Sequence, residues 1–253
     1  MALAQAIAEH LPFLRRYARA LCGSQKSGDA YVRAALEAIV ADPGIVPSTL
    51  SARVGLYRVF HVIWSSSDLE AMQPATELGV ERKLQRMTPA SRQALLLTAM
   101  EGFTRGETGR ILGVSDDKTL ELLASALQEI ARQPPTKVLI IEDEPIISLD
   151  LQSIMRELGH TIAGVSTTRD EAVQAAKRTQ PGLVLADIKL ADGSSGIDAV
   201  KQILNDITVP VVFITAYPER LLTGERPEPT FLVTKPFVPE TVRAAVSQAL
   251  LFT

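Results

Sequence analysis

Apolar residues recur at intervals of three and four through the first half of the chain. The sets are Leu11, Leu14, Ala18 and Leu21, then Val32, Ala35, Leu36, Ile39 and Val40, then Leu50, Val54, Leu56, Val59, Phe60 and Ile63. This spacing puts each set on one face of an α-helix. Trp64-Ser65-Ser66-Ser67-Asp68 reads as a helix end and the polar stretch 67–83 as a connector. Helices resume beyond it. Thr88 offers a cap with Pro89 at the first helical position, leading into Ala94-Leu95-Leu96-Leu97. Thr104-Arg105-Gly106-Glu107 has the form of a capping box, ahead of Ile111-Leu112-Gly113. Ser115 precedes a last helix through Leu120, Leu123, Ala124, Leu127 and Ile130. Nothing in 1–132 has the period of a strand.

At Gln133-Pro134-Pro135-Thr136 the helical pattern breaks, because proline disfavours helix in the residue before it and stiffens the joint. Beyond it, short apolar runs alternate with amphipathic stretches. The runs predict strands at 137–141, 161–165, 182–186, 210–214 and 230–233, with helices at 146–158, 168–178, 195–205 and 239–251. A βα alternation implies a five-stranded parallel sheet, doubly wound with helices on both faces. Between Ala216 and Phe231 lie Pro218, Gly224, Pro227 and Pro229, so a helix there should be short or irregular. The expected organisation is an all-α half, 1–132 (about 1–66, a connector at 67–83, and 84–132), a linker at 133–136, and an α/β half at 137–253.

Composition narrows the setting. No apolar stretch reaches the ~18 residues of a membrane span, and Met1-Ala2-Leu3-Ala4-Gln5 lacks the basic start of a signal peptide. Cys22 is the sole cysteine, which rules out an intrachain disulfide and favours a cytoplasmic protein. The first 135 residues hold 15 basic and 14 acidic side chains and the rest 11 and 15, so neither half has the charge of a nucleic-acid binder.

Polar residues end several of the predicted strands. Glu142-Asp143 follows the first, Asp187 the third, Thr215 the fourth and Lys235 the fifth. In open α/β sheets that edge is where ligands bind. Carboxylates, a hydroxyl and an ammonium converging there suit a magnesium ion beside a phosphoryl acceptor, since magnesium takes hard oxygen ligands. Residues 136–252 resemble a response-regulator receiver domain on these motifs: Val138-Leu139-Ile140-Ile141-Glu142-Asp143-Glu144-Pro145, Leu185-Ala186-Asp187, Phe213-Ile214-Thr215-Ala216 and Lys235-Pro236-Phe237. The resemblance implies Asp187 as nucleophile and phosphoacceptor. It implies Mg2+ bound by Asp143, Asp187 and the backbone carbonyl of Lys189, with Glu142 nearer the outer shell. Lys235 would neutralise the phosphoryl oxygens and Thr215 would turn to hydrogen-bond one. The bond before that proline is usually cis in receivers, and the same is expected of Lys235–Pro236. Most receivers carry Tyr or Phe three residues before the lysine; here stands Leu232, so the usual aromatic relay does not carry over.

The helical half is similar to extracytoplasmic-function sigma factors. Leu14-Arg15-Arg16-Tyr17-Ala18-Arg19-Ala20-Leu21 and Ala34-Ala35-Leu36-Glu37-Ala38 match the promoter-melting region. Leu84-Gln85-Arg86-Met87-Thr88-Pro89 through Glu107-Thr108-Gly109-Arg110-Ile111-Leu112-Gly113-Val114 match a helix-turn-helix scan. The DNA chemistry is missing. Segment 116–131 sets Asp116, Asp117, Glu121 and Glu129 against Lys118, and such a helix repels phosphates. Arg15, Arg16 and Arg19 read as a solvated face. His10, His61 and His160 are scattered and read as surface or half-buried residues, without the clustering of a zinc site.

A sigma-like domain ahead of a receiver resembles the PhyR-type general stress response regulators. This implies a phosphorylation-dependent anti-anti-sigma factor. Its partners would be an anti-sigma factor of the NepR type, a histidine kinase or phosphotransferase, and an intramolecular contact between the halves, without direct DNA or membrane binding. The alternative is a phosphorylation-controlled transcription regulator binding DNA through 104–131. An enzymatic output finds no support: 1–132 has no second carboxylate pair, Ser–His set or glycine loop.

Overall fold

The computed structural model describes residues 2–66, 89–218 and 229–252. The expected connector at 67–83, the Leu84–Thr88 segment and most of the stretch expected to hold a short or irregular helix before Phe231 lie outside these residues. The chain divides into two compact units, Met1–Leu127 and Gln128–Thr253. Among the described residues, no helix is long and apolar enough to cross a membrane.

The first unit is helical: α1 (Ala2–Ala8), α2 (Leu11–Cys22), α3 (Gln25–Ala41), α4 (Ala52–Ser65), α5 (Ala90–Leu95), α6 (Arg105–Leu112) and α7 (Asp116–Ala131), the last running across the division. Local chemistry sets the ends. Ser24 and Ser51 cap α3 and α4 by accepting from the amides of Ser27 and Val54, satisfying donors that a helix start leaves open. Thr104 and Glu107 form the expected capping box. Gly113 then ends α6 at φ 72°, a left-handed conformation that glycine adopts without a Cβ clash. At α5 the expectation needs correcting: Pro89 is the cap residue itself, not the first helical one, and the helix starts at Ala90. α5 then widens into a π turn, Leu96–Met100. The core is built from Leu14, Tyr17 and Leu21 of α2, Leu56, Tyr57 and Phe60 of α4, Leu96, Leu97 and Ile111, all buried.

The second unit holds β1 (Lys137–Ile141), α8 (Pro145–Glu157), β2 (Thr161–Ser166), α9 (Arg169–Thr179), β3 (Leu183–Ala186), α10 (Gly196–Asp206), β4 (Val211–Thr215), β5 (Phe231–Thr234) and α11 (Pro239–Ala249). The strands form one sheet in the order β2-β1-β3-β4-β5, with every neighbouring pair parallel. Such a sheet is covered on both faces, which is why β1, β3 and β4 are near-continuous apolar runs. Leu139, Ile141, Val184, Ala186, Phe213 and Leu232 pack with Ala172 and Ala176 of α9 and Val200 and Ile203 of α10. The alternate strand residues face the opposite way, toward the side where α8 and α11 pack on each other and on the strands. This order reverses direction between β1 and β3, and the crevice at their carboxyl ends is the expected ligand position.

Candidate functional site

The carboxyl ends of β1 and β3 are tied together. The Asp187 amide donates to the Ile141 carbonyl at 2.8 Å, and the Glu142 amide to the Ser166 carbonyl at 3.0 Å. Asp187 is buried. Its Oδ1 accepts from the amides of Ile188 (2.5 Å) and Lys189 (3.4 Å), and its Oδ2 accepts from Lys235 Nζ at 2.8 Å. One oxygen is therefore pinned by backbone and the other faces the ammonium.

Behind Asp187, the start of α10 comes so close that only glycine fits. A Cβ on Gly196 would lie 1.7 Å from the Asp187 carbonyl oxygen. The Gly196 amide also donates to the Ile188 carbonyl at 2.9 Å. Sequence reasoning passed over Gly196; the signal was a glycine at a predicted helix start nine positions after an acceptor candidate.

Lys235 Nζ draws three carboxylates together: Asp187 Oδ2 and Glu142 Oε2 at 2.8 Å each, and Glu144 Oε1 at 3.2 Å. The Asp187 and Glu144 contacts are hydrogen bonds. The Glu142 contact is an ion pair by distance only, and this buried oxygen has no hydrogen-bond partner. Burial raises the Glu142 carboxyl above its ordinary range, against the lowering pull of Lys235. Burial works against the Lys235 charge, yet its hydrogen bond to Asp187 and close ionic contact with Glu142 hold its pKa above the usual range.

Among the described residues, one oxygen each from Glu142, Glu144 and Asp187 lie within 4.8 Å of one another, close enough to share a cation. The donor set is all oxygen, as a hard divalent ion prefers, and the Lys235 ammonium lies within 2.8–3.2 Å of an oxygen of each of the three residues. Asp143, expected in this set, is half-buried and outside the group, and Glu144 stands in it instead. The Lys189 amide points at Asp187, and its Nζ lies 5.8 Å from the Tyr217 ring centroid.

Thr215 and Lys235 are joined through the main chain. The Lys235 amide donates to the Thr215 carbonyl at 2.8 Å. The buried Thr215 Oγ1 accepts from the Tyr217 amide at 3.2 Å. Lys235–Pro236 is cis, as expected. Leu232, at the position usually aromatic, is sealed in the core at 1% exposure.

In the helical unit the basic residues of α2 are engaged within the fold, which overturns the solvated-face expectation. Arg16 donates from Nε (3.2 Å) and a terminal nitrogen (2.8 Å) to Glu101 Oε1, and to the Met100 carbonyl. Tyr57 Oη donates to Glu101 Oε2 at 2.9 Å, and Arg53 donates to the Glu101 carbonyl while lying 4.0 Å from the Phe103 ring centroid. Arg15 and Arg19 pair with Asp29. Arg16, Arg19 and Glu101 are all buried. His61 and His160 are buried too, contrary to expectation. His61 Nε2 lies 2.7 Å from Tyr17 Oη, and burial pushes its pKa down to about 3.

Three family models match in order: the Sigma2 domain of PhyR over 7–61, the PhyR sigma-like domain over 84–133, and the response regulator receiver domain over 138–247. The phyllosphere-induced regulator PhyR of Methylorubrum extorquens is 51% identical over 100% of this chain and 96% of its own. The chain belongs to the PhyR family. The crystal structure of the Brucella abortus PhyR response regulator superposes at TM-score 0.87 with 53% identity, covering 100% of this chain and 95% of that one. That of the Bartonella quintana anti-anti-sigma factor PhyR does so at 0.86 with 50% identity, covering 99% and 96%. Family membership thus joins the two units under one description, a sigma-like part followed by a receiver.

Proposed function

We propose that this chain is a phosphorylation-dependent anti-anti-sigma factor. Phosphorylation of Asp187 by a histidine kinase or phosphotransferase frees the sigma-like half, 1–132, to sequester an anti-sigma factor of the NepR type. An extracytoplasmic-function sigma factor is then released for general stress transcription. The observation that carries the reading is Asp187 at the switch-point crevice with one oxygen pinned by amides and the other against Lys235. The description of the Bartonella quintana relative supports the output.

Transfer from a phosphohistidine breaks a P–N bond and forms a P–O bond on Asp187, and the freed imidazole nitrogen takes a proton. Oδ2 is the attacking oxygen, because Oδ1 is engaged by the Ile188 and Lys189 amides. Lys235, already at 2.8 Å, then faces the phosphoryl oxygens. Asp187, with Glu142 and Glu144 gathered beside it and Asp143 and the Lys189 carbonyl as the further expected ligands, would hold Mg2+, which would supply charge neutralisation between aspartate and phosphoryl group. Thr215 turns its hydroxyl from the Tyr217 amide to a phosphoryl oxygen, releasing that amide. This local change has to bias the chain by roughly 5 kcal/mol to move nearly the whole population. Anti-sigma binding must in turn favour phosphorylation, since coupling is reciprocal.

The test is calorimetry of the chain against its NepR-type anti-sigma factor with and without magnesium beryllofluoride. Binding at least tenfold tighter with the mimic, and lost dependence in Asp187→Ala, is expected. Equal affinity in both states would refute the gating. Sequence-specific DNA binding with a steep salt slope would replace the output assignment with a transcription regulator acting through 104–131.

A further inference from the structure

We propose that Glu144 is a positioning residue for phosphoryl transfer: it holds the Lys235 ammonium in the carboxylate group until a phosphoryl oxygen takes its place. The inference rests on the reading of Asp187 as acceptor. Lysine has three N–H donors and no acceptor. Here Asp187, Glu142 and Glu144 all crowd the same nitrogen at 2.8, 2.8 and 3.2 Å. Asp187 and Glu144 take two of the three donors and Glu142 flanks the same nitrogen, so a phosphoryl group arriving on Asp187 competes with these carboxylates for the ammonium.

Glu144 is the carboxylate that can let go. Asp187 is the acceptor itself, and the Glu142 side chain is fully buried. The Glu144 side chain is 60% exposed, its contact is the longest of the three, and water solvates its carboxylate once released. Its backbone stays put meanwhile. The Glu144 amide donates to Glu142 Oε1 at 3.2 Å, and Pro145 starts α8 immediately after it. The side chain swings on a fixed anchor, and each release returns the donor that Glu144 held to Lys235 for the phosphoryl oxygens.

Two variants of the full chain separate this holding role from simple charge. Glu144→Gln removes the charge, whereas Glu144→Asp keeps it but shortens the reach by one methylene. The donor is acetyl phosphate at saturating Mg2+; its acyl–phosphate P–O bond breaks, a P–O bond forms on Asp187, and acetate leaves. Both variants are expected to phosphorylate about threefold faster or more. In 15N-lysine NMR spectra without Mg2+, the Lys235 ammonium signal, sharp in the parent, is expected to shift and broaden in both. The proposal is overturned if both rates stay within a factor of about two of the parent, if only Glu144→Gln speeds up, or if the lysine signal is unchanged. Should the parent chain take no phosphate on Asp187, the acceptor reading fails, and the lysine signal, which needs no phosphate, still decides the role of Glu144.

Discussion

Removing the Glu101 carboxylate should cost the helical unit far more than a surface ion pair would. Glu101 is 5% and Arg16 8% exposed, and Glu101 Oε1 takes two guanidinium contacts at 3.2 and 2.8 Å. Oε2 takes the Tyr57 hydroxyl at 2.9 Å. Glu101→Ala leaves a buried guanidinium without its carboxylate, a loss of about 3–5 kcal/mol. Glu101→Gln keeps an acceptor and loses only charge assistance, about 2 kcal/mol. Replacing the pair together, Arg16→Met with Glu101→Leu, removes both ionic desolvation penalties and leaves the buried Tyr57 hydroxyl without its acceptor, a cost of about 1–3 kcal/mol. With each single change costing about 3–5 kcal/mol, the cycle should show a coupling of at least about 3 kcal/mol. Urea unfolding followed through Trp64, the sole tryptophan and itself buried in this unit, gives the readout. With a slope of about 2 kcal/mol per molar, Glu101→Ala should lower the midpoint by roughly 2 M. A shift under about 0.5 M, or a double variant as unstable as the sum of its singles, would refute the buried clasp.

Three further outcomes follow from the geometry. His61 has a folded pKa of about 3, below its ordinary 6.5, so its contribution is complete above pH 6.5 and is lost as pH falls toward 3. The loss is about 1.4 kcal/mol per pH unit and up to about 5 in all; in His61→Gln the pH slope of the Trp64 midpoint should flatten, and equal slopes would contradict it. Gly196→Ala forces a Cβ onto the Asp187 carbonyl, which should destabilise the receiver by about 1–3 kcal/mol and slow acetyl phosphate labelling; a parent-like rate would show that the loop relaxes freely. Leu232→Ala should cost about 2–5 kcal/mol in receiver unfolding while the folded variant keeps its affinity ratio with and without beryllofluoride; a lost ratio would give Leu232 a signalling role.

Much of the fold was legible because its causes are local. Each strand begins and ends within a residue or so of its apolar run, since a buried parallel strand has to be apolar throughout. The Thr104–Glu107 box was readable because both partners lie within one turn. The candidate site was legible as strand ends, and Asp187 and Lys235 do meet there. What escaped was set by tertiary neighbours. Arg16 reads as a surface residue because its partner Glu101, the residue that ends the π turn, is 85 positions away. Glu144 stands out in the sequence only as part of a motif, because nothing in the spacing says which of the three adjacent acids, here Glu142 and Glu144, reach Lys235. His61 gave no sign of burial, because Tyr17 meets it across 44 positions.

The burial of Leu232 changes where this receiver keeps its message. An aromatic at that position can stand in or out and so records one bit in its rotamer. A leucine packed among Ala186, Phe213 and the helices of its face has no second address. In the switch proposed above, the record is written in the main chain, in the amides of Tyr217 and Lys235 that converge on Thr215. A reader of that proposed record meets main-chain hydrogen bonds at the ends of β4 and β5, not a single ring.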